Sequence, residues 1–279
     1  MHPMVYVLLR NKRFVISMSI FITIALAGIA GPLIYTKSPL SFEGPAENPP
    51  SSKYPLGTDL YGRDILAQLL WGIRNSLYIG ILTAIIAASI GLLVGSVAGI
   101  KGGIIDEILM AVTNIVLSIP NILLAILIAS YIKFRSVEIV ALLLGVTSWP
   151  WLARAVRAQL MSLREREFVY LSKMAGYSDL KIAFTDLLPN MASYIFMAFA
   201  GFINTGILGE VGLSIMGIGP TRGVTLGVML QWAALMEAIR RGIWWWFIPP
   251  GLVIVATTSS LTVMATALDE VLNPRLRRG

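Results

Sequence analysis

The chain has 279 residues, of which 56% are hydrophobic and only 13% are charged, and its mean hydropathy is +0.77. This composition excludes an ordinary soluble domain and predicts an all-α, polytopic membrane protein. Anionic lipid at the inner leaflet is a sufficient partner for the net charge of +7, so we predict that the chain binds no nucleic acid.

The spans follow from uncharged runs, because a spanning helix needs roughly 20 apolar residues. Five runs reach that length: Phe14–Thr36, Ser76–Ile100, Ile108–Ile132, Leu187–Gly209 and Gly242–Leu268. A sixth, Val137–Leu160, is less regular, because Glu138 opens it and Arg154 and Arg157 lie in its last turns, where long basic side chains can reach the membrane surface. The distribution of charge requires this crossing, so we predict six transmembrane helices.

The segments between the spans also have interpretable compositions. No small-residue cleavage pattern follows the first span, so we interpret it as a retained helix. Ser38–Lys53 is rich in Pro, Ser and Glu, which is typical of an exposed external loop. Val224–Met236 is uncharged but too short to span, which indicates a re-entrant or interfacial element on the outer side. Trp244, Trp245 and Trp246 mark the outer start of the last span.

These elements predict four regions. They are a cytoplasmic N-terminal segment (1–13), the first span with an external loop (14–75), a core domain of five spans with a cytoplasmic loop at about 160–187 (76–268), and a basic cytoplasmic tail (269–279).

The basic residues set the predicted orientation. With both termini in the cytoplasm, the inner side holds thirteen of the 22 basic residues: Arg10, Lys12, Arg13, Lys101, Arg154, Arg157, Arg164, Arg166, Lys173, Lys181, Arg275, Arg277 and Arg278. The outer side holds Lys37, Lys53, Arg63, Arg74, Lys133, Arg135, Arg222, Arg240 and Arg241. Under the positive-inside rule, this bias predicts a multi-pass protein of the cytoplasmic membrane with both termini inside.

Residues able to carry chemistry are scarce. His2 is the only histidine and the chain has no cysteine, which excludes a serine–histidine dyad, a His- or Cys-ligated metal site and disulfides. The chain has no G-x-x-x-x-G-K-[ST] phosphate loop, and its span centres hold almost no ionisable residue. We predict a non-catalytic chain that binds no metal and no cofactor, and whose free energy comes from another protein.

A polar island at residues 164–181, closed by Leu187-Leu188-Pro189-Asn190, interrupts the apolar pattern. Apolar residues at 160, 163, 168, 171 and 174 fall on one helical face, Gly176 can take the left-handed turn that ends a helix, and Ser178 can cap the next helix. We predict a helical hairpin outside the bilayer. Its first arm would be about a dozen residues or ~18 Å long, enough to fit a groove on another protein.

The island resembles the E-A-A-x3-G-x9-I-x-L-P signature of ABC importer transmembrane subunits. Gly176, Leu188 and Pro189 match its spacing, whereas Tyr170-Leu171-Ser172 replaces the E-A-A triad and Asp186 replaces the isoleucine.

Other stretches are similar to the C-type permease of the dipeptide/oligopeptide transporter family, in order from about residue 5 to the end. Residues 56–64 match L-G-T-D-x-x-G-R-D, and Ser162–Phe168 matches S-L-R-E-R-E-[YF]. Residues 213–219 are similar to L-S-F-L-G-L-G, and Asn273–Arg278 to D-P-R-L-R-R.

The resemblance implies a fold of the type I ABC importer permease kind and a subunit that forms half of a translocation pathway. Its partners would be a homologous B-type permease, two cytoplasmic ABC ATPases that hold ATP and Mg, and an external substrate-binding protein. The hairpin would then couple ATP binding to alternating access, through Arg166, Tyr170, Ser172, Gly176, Tyr177, Ser178, Asp179, Leu180 and Pro189. An ordinary solvated loop is the weaker interpretation of these residues.

Several alternatives remain open. For the external motif (Gly57, Thr58, Asp59, Gly62, Arg63 and Asp64), we favour a structural role over docking of the binding protein. Gly91, Gly95 and Gly99, extended by Ala84 and Ala88, form a small-residue stripe that can pack either on the partner permease or within this chain. Pro120, Pro150, Pro249 and Pro250 should break their spans as kinks or hinges.

The pathway residues, the substrate and the class of protein each have an alternative assignment. Asn114, Asn121, Ser148, Asn204 and Thr205 can face the pathway or form interhelical hydrogen bonds. Peptides are the expected substrate, short oligosaccharides such as cello-oligosaccharides are the alternative, and nickel would favour more histidines than His2. A stand-alone channel or a membrane-embedded enzyme would instead act without partner subunits.

Overall fold

The structure, a computed structural model, describes Leu8 and residues 10–272, without the side chains of residues 179, 180, 183, 184, 271 and 272. Across these residues the chain forms helices and no strand, apart from an isolated bridge between Thr58 and Asp64. His2 and the matching tail Asn273–Arg278 lie outside the described residues, which exclude 1–7, 9 and 273–279.

The helices follow one another in chain order with short connections, except for the loop before α2. They are α1 (Lys12–Ile34), α2 (Ile65–Lys101), α3 (Gly103–Ser118), α4 (Asn121–Ser130), α5 (Val137–Ser148), α6 (Pro150–Arg164), α7 (Glu167–Met174), α8 (Asp179–Ile182), a π-helical turn (Ala183–Leu187), α9 (Leu188–Asn190), α10 (Ala192–Ile215), α11 (Leu226–Leu235) and α12 (Trp244–Leu272).

Four helices, α1, α2, α10 and α12, are each long and apolar enough to cross a membrane. Two further pairs, α3 with α4 and α5 with α6, meet the same criteria only when each pair is taken as one span. The described chain therefore has four to six spans, which confirms the all-α polytopic fold. Helix α11, at ten residues, is too short to cross, as its uncharged run predicted.

Two of the predicted spans are not straight. Helices α3 and α4 meet at 83°, so the span predicted over Ile108–Ile132 is broken at Pro120, as expected. Pro120 has no N–H to continue the backbone hydrogen bonds of the helix, and it holds Ile119 in an extended conformation (φ −99°, ψ 125°). Pro150 begins α6, which is bent by 41° from α5. Pro249 and Pro250, in contrast, lie within α12 without ending it.

Helix α2 is the centre of the bundle and packs against α10, α6, α5 and α1. The small-residue stripe faces α6 of the same chain, where Cβ atoms added at Gly91 and Gly95 would lie 3.0 Å from the Trp149 carbonyl oxygen and 2.5 Å from that of Ala153. In this structure the stripe is thus an internal helix contact, which answers the choice between the two partners. Gly206 of α10 approaches α2 in the same way, with an added Cβ only 2.8 Å from the Gly80 Cα.

The two ends of α2 define the two ends of the molecule. At 37 residues the helix is about 55 Å long, well beyond the roughly 30 Å of a hydrocarbon core. Its first turn lies beside the loop of residues 35–64, at what we call the loop end. Its last turn lies beside α6 and the polar island, at the hairpin end, where the Arg164 guanidinium donates to the Gly99 and Ile100 carbonyls at 2.8 and 3.0 Å.

Candidate functional site

The polar island folds as a hairpin, hereafter the hairpin (residues 167–190). Gly176 has φ +80°, and the Tyr177 N–H donates to the Ser172 carbonyl at 3.1 Å, which ends α7. Ser178 caps α8, since its Oγ accepts from the Lys181 N–H at 3.4 Å. The first arm is shorter than predicted: α6 ends at Arg164, and α7 has eight residues, about 12 Å.

The interrupted helix also divides the apolar face that we predicted. Leu160 is buried in α6, whereas in α7 only Val169 is buried, all eight side chains being described. Leu171 and Met174 are 66% and 86% exposed. Phe168, Tyr170 and Tyr177 are exposed as well. Together these five residues form an apolar and aromatic surface, hereafter the tip of the hairpin.

A hydrogen bond joins the two arms of the hairpin. The Ser172 hydroxyl donates to Oδ2 of Asp186 at 2.6 Å, and the Asn190 amide donates to the Asp186 carbonyl at 2.6 Å. Arg166 precedes α7 in an extended conformation, and Pro189 lies in α9. Asp179 and Leu180 begin α8, but their side chains are outside the description.

The motif at residues 57–64 lies at the loop end, where all its matching residues from Gly57 to Asp64 are buried and Tyr61 is exposed. Asp59 has no exposed surface, and its carboxylate accepts from Arg63 Nε at 2.6 Å and from Gln68 Nε2 at 2.9 Å. The Arg63 guanidinium lies 4.2 Å from the ring centroid of Trp232 in α11. A buried pair of this kind is strongly destabilising to break, because losing one partner leaves an uncompensated charge.

The rest of the motif supports the same loop. Thr58 donates to the Pro45 carbonyl at 2.5 Å, and the Thr58 carbonyl accepts from Trp245 Nε1 at 3.1 Å. Gly57 and Gly62 have φ values of +73° and +77°, a region that side chains rarely adopt. The motif therefore fastens the loop to α12 as well as to α2.

Asp64 connects the motif to the end of α1. Its Oδ1 caps α2 by accepting from the Leu66 N–H at 2.9 Å, while Oδ2 accepts from Lys37 Nζ at 2.9 Å and from the Tyr35 hydroxyl at 2.5 Å. Burial and the bond to Asp64 raise the pKa of Tyr35. Burial opposes the charge on Lys37, but its bonds to Tyr35 and Asp64 outweigh that effect and raise the pKa of Lys37. At neutral pH, Tyr35 is therefore a donor and Lys37 a cation.

Three of the five residues predicted for the pathway line one cleft. Asn121, Ser148 and Thr205 face a space of about 570 Å³ between α4, α5 and α10, which Trp151 and Phe202 also line. The amide of Asn121 donates across the cleft wall to the Thr147 carbonyl and the Ser148 hydroxyl at 2.9 and 3.0 Å. The cleft is thus mostly apolar with a few hydroxyl and amide groups.

The other two predicted residues lie away from this cleft and join helices. Asn114 accepts from Arg154 Nη2 at 2.5 Å, which ties α3 to α6, next to a bidentate ion pair between Asp106 and Arg157. Asn204 donates to the Thr262 hydroxyl of α12 at 3.0 Å. Interhelical hydrogen bonding, the alternative interpretation, describes both of these contacts.

Glu210 is an important residue that the sequence analysis missed. It is fully buried in α10, and its Oε1 accepts from the Ser214 and Thr225 hydroxyls at 2.6 and 2.5 Å. Thr225 also caps α11 by accepting from the Val228 N–H at 3.1 Å. The available signal was that Glu210 is the only acidic residue between Asp186 and Glu237. The carboxyl group anchors the first turn of α11 to the bundle.

Replacing Thr225 with valine is expected to lower the free energy of unfolding by about 1–2 kcal/mol, because both the cap of α11 and the bond to Glu210 are lost. The matched control, Thr225→Ser, keeps the hydroxyl. Thermal unfolding of the purified chain in detergent measures the difference. Equal midpoints for the valine and serine variants would contradict this role of the hydroxyl.

The sequence is similar to those of known membrane transport proteins. A family model described as "Binding-protein-dependent transport system inner membrane component" matches residues 91–278. The chain is 34% identical over 227 residues to the oligopeptide transport system permease protein OppC of Mycobacterium tuberculosis, covering 80% of this chain and 77% of that protein. It is 31% identical over 271 residues to the dipeptide transport system permease protein DppC of Bacillus subtilis, covering 96% and 84%.

Proposed function

The chain belongs to the family of inner membrane components of binding-protein-dependent transport systems, and from this we propose that it is the C-type permease subunit of an ABC importer for peptides. In this role it forms half of a translocation pathway with a homologous B-type permease. An external binding protein delivers the substrate, and two cytoplasmic ATPases, which hold ATP and Mg, supply the free energy.

The observation that carries this proposal is the exposed tip of the hairpin. Leu171, Met174 and their aromatic neighbours form an exposed apolar surface on α7 and at the turn that follows it. Such a surface is expensive to leave in water and fits a groove on a partner protein. We assign it to one of the two ATPases, with Gly176 and Ser178 holding the shape of the tip.

The cleft supports a role in translocation. Asn121, Ser148 and Thr205 give it a mildly polar wall without a charged group among its lining residues. A wall of this kind passes substrates of different sequence, so that selection is left to the binding protein. The bends at Pro120 and Pro150 lie beside the cleft, and we propose that they allow α3–α6 to tilt between inward-facing and outward-facing states.

Orientation and the external motif complete the proposal. We place the hairpin end in the cytoplasm with both termini, following the positive-inside bias. The motif then lies outside, and we assign it a structural role, because Thr58, Asp59 and Asp64 are buried and a docking residue needs to be accessible.

Peptides are the substrate class that we propose, because the relatives described above are named oligopeptide and dipeptide permeases. Short oligosaccharides have no comparable support. A screen of peptides and cello-oligosaccharides against the co-purifying binding protein separates the two, since saturable binding of the sugars alone would contradict the peptide assignment.

Purification of the chain from its native membrane in mild detergent is the first test. We expect a second permease, two ATPase subunits and a binding protein to co-purify, and ATP hydrolysis to rise when the binding protein is loaded with peptide. Recovery of the folded chain alone, with uncoupled flux or enzymatic turnover, would support a channel or an enzyme instead.

A further inference from the structure

Two residues that depart from the importer signature contact each other in the hairpin. Ser172 lies where the signature has the last alanine of its triad, and Asp186 lies where it has isoleucine. The two residues are fourteen positions apart, yet the Ser172 hydroxyl donates to Oδ2 of Asp186 at 2.6 Å. A polar pair thus occupies the place of two apolar residues.

This hydrogen bond crosses from the first arm to the second. The other carboxylate oxygen of Asp186, Oδ1, accepts from the hydroxyl of its neighbour Thr185 at 3.0 Å, a bond within the second arm. The Asn190 amide holds the Asp186 carbonyl at 2.6 Å, and α10 begins two residues after Asn190. Asp186 is therefore fixed to the segment that enters the spanning helix α10.

Between the side chains that the structure describes, the first arm has few other attachments. Helix α7 has eight residues, too few to be stable alone, and it buries only Val169, with all its side chains described. Leu171 and Met174 point away from the bundle and are exposed. Among the described residues, the bond from Ser172 to Asp186 is therefore a direct route by which a displacement of α7 can reach the segment that enters α10.

We propose that Ser172 and Asp186 are a positioning pair that transmits the movement of α7 to α10, in place of apolar packing at the same two positions. This inference rests on the proposed coupling function of the hairpin. It assigns the pair neither to the contact with the ATPase nor to the pathway. Breaking the bond should let the hairpin bind its partner and yet move α10 less for each ATP hydrolysed.

The test uses the complete importer, with both permeases, both ATPases and the binding protein, reconstituted in lipid vesicles. The measured quantity is peptide taken up per ATP hydrolysed. Ser172→Ala and Asp186→Ile are each expected to lower this ratio about fivefold, while the double variant S172A/D186I, which restores an apolar pair, recovers most of it. Asp186→Asn keeps an acceptor oxygen for the serine and should stay close to the unmodified protein.

Thr185→Val is the matched control, because it also removes a hydroxyl from Asp186 but leaves the bond between the arms. Its ratio is expected to be unchanged. Recovery of the ATPases and the unfolding midpoint should be equal in all variants, which separates transmission from folding. Unchanged ratios in both single variants, or a double variant as poor as the singles, would overturn the pair. An unmodified complex without ATP-driven uptake would instead overturn the proposed function itself.

Discussion

Replacing Leu171 and Met174 together with glutamate is expected to reduce ATP-driven uptake more than tenfold and to leave the permease folded in the membrane. Both side chains are largely exposed, so the substitution removes little from the core. In the proposed complex, however, two carboxylates would have to enter an apolar groove and lose their water, and central apolar anchors of interfaces contribute ~2 kcal/mol or more each.

Association with the ATPases is the direct measurement for this variant. We expect the double variant to purify without them, at a normal yield and with a normal unfolding midpoint. Phe42→Glu is the control, because it also places a carboxylate, one rather than two, on an exposed apolar residue, here at the loop end. A double variant that still retains the ATPases would place the docking surface somewhere other than the hairpin tip.

Replacing Gly95 with valine is expected to lower the free energy of unfolding by about 3 kcal/mol, the upper part of the range for overpacked cores. An added Cβ would lie 2.5 Å from the Ala153 carbonyl oxygen and 2.8 Å from the Val156 Cβ. A backbone oxygen cannot rotate away as a flexible side chain does, so α2 and α6 must separate along the stripe.

Gly201→Val is the matched control for this substitution. Gly201 is also inside a spanning helix, but an added Cβ there meets no atom within 4 Å. Thermal unfolding of both variants in the same detergent, together with expression in the membrane, gives the comparison. Equal midpoints would show that the α2–α6 contact tolerates extra volume, contrary to the close approach of the two helices in the structure.

Local features were predictable from the sequence. The thickness of the bilayer sets the length of an uncharged span, and the helical repeat sets the spacing of apolar residues. The predicted spans therefore lie near the observed ones. Gly176 and Ser178 were also found, because a left-handed turn and a cap depend only on neighbouring residues. In the same way, Val224–Met236 was recognised as too short to cross.

Features that depend on residues distant in the chain were missed or left undecided. The stripe at Gly95 showed that a helix would approach closely, but only the packing shows that the helix is α6. Glu210 looked like the end of a span, and its partner Thr225 is fifteen positions away. The apolar residues at 163 and 168 keep a helical spacing, which predicts a continuous first arm of the hairpin. The helix instead stops at residues 165 and 166, so the arm is shorter than predicted.

The length of α2 has a mechanical consequence. Asp64 fastens its first turn to the loop of residues 35–64, and Arg164 fastens its last turn to the end of α6, about 55 Å away. A rod of that length acts as a lever: a rotation of roughly 10° about its midpoint carries each end about 5 Å, in opposite directions. A small change of angle in the middle of the membrane is therefore a large displacement at both surfaces.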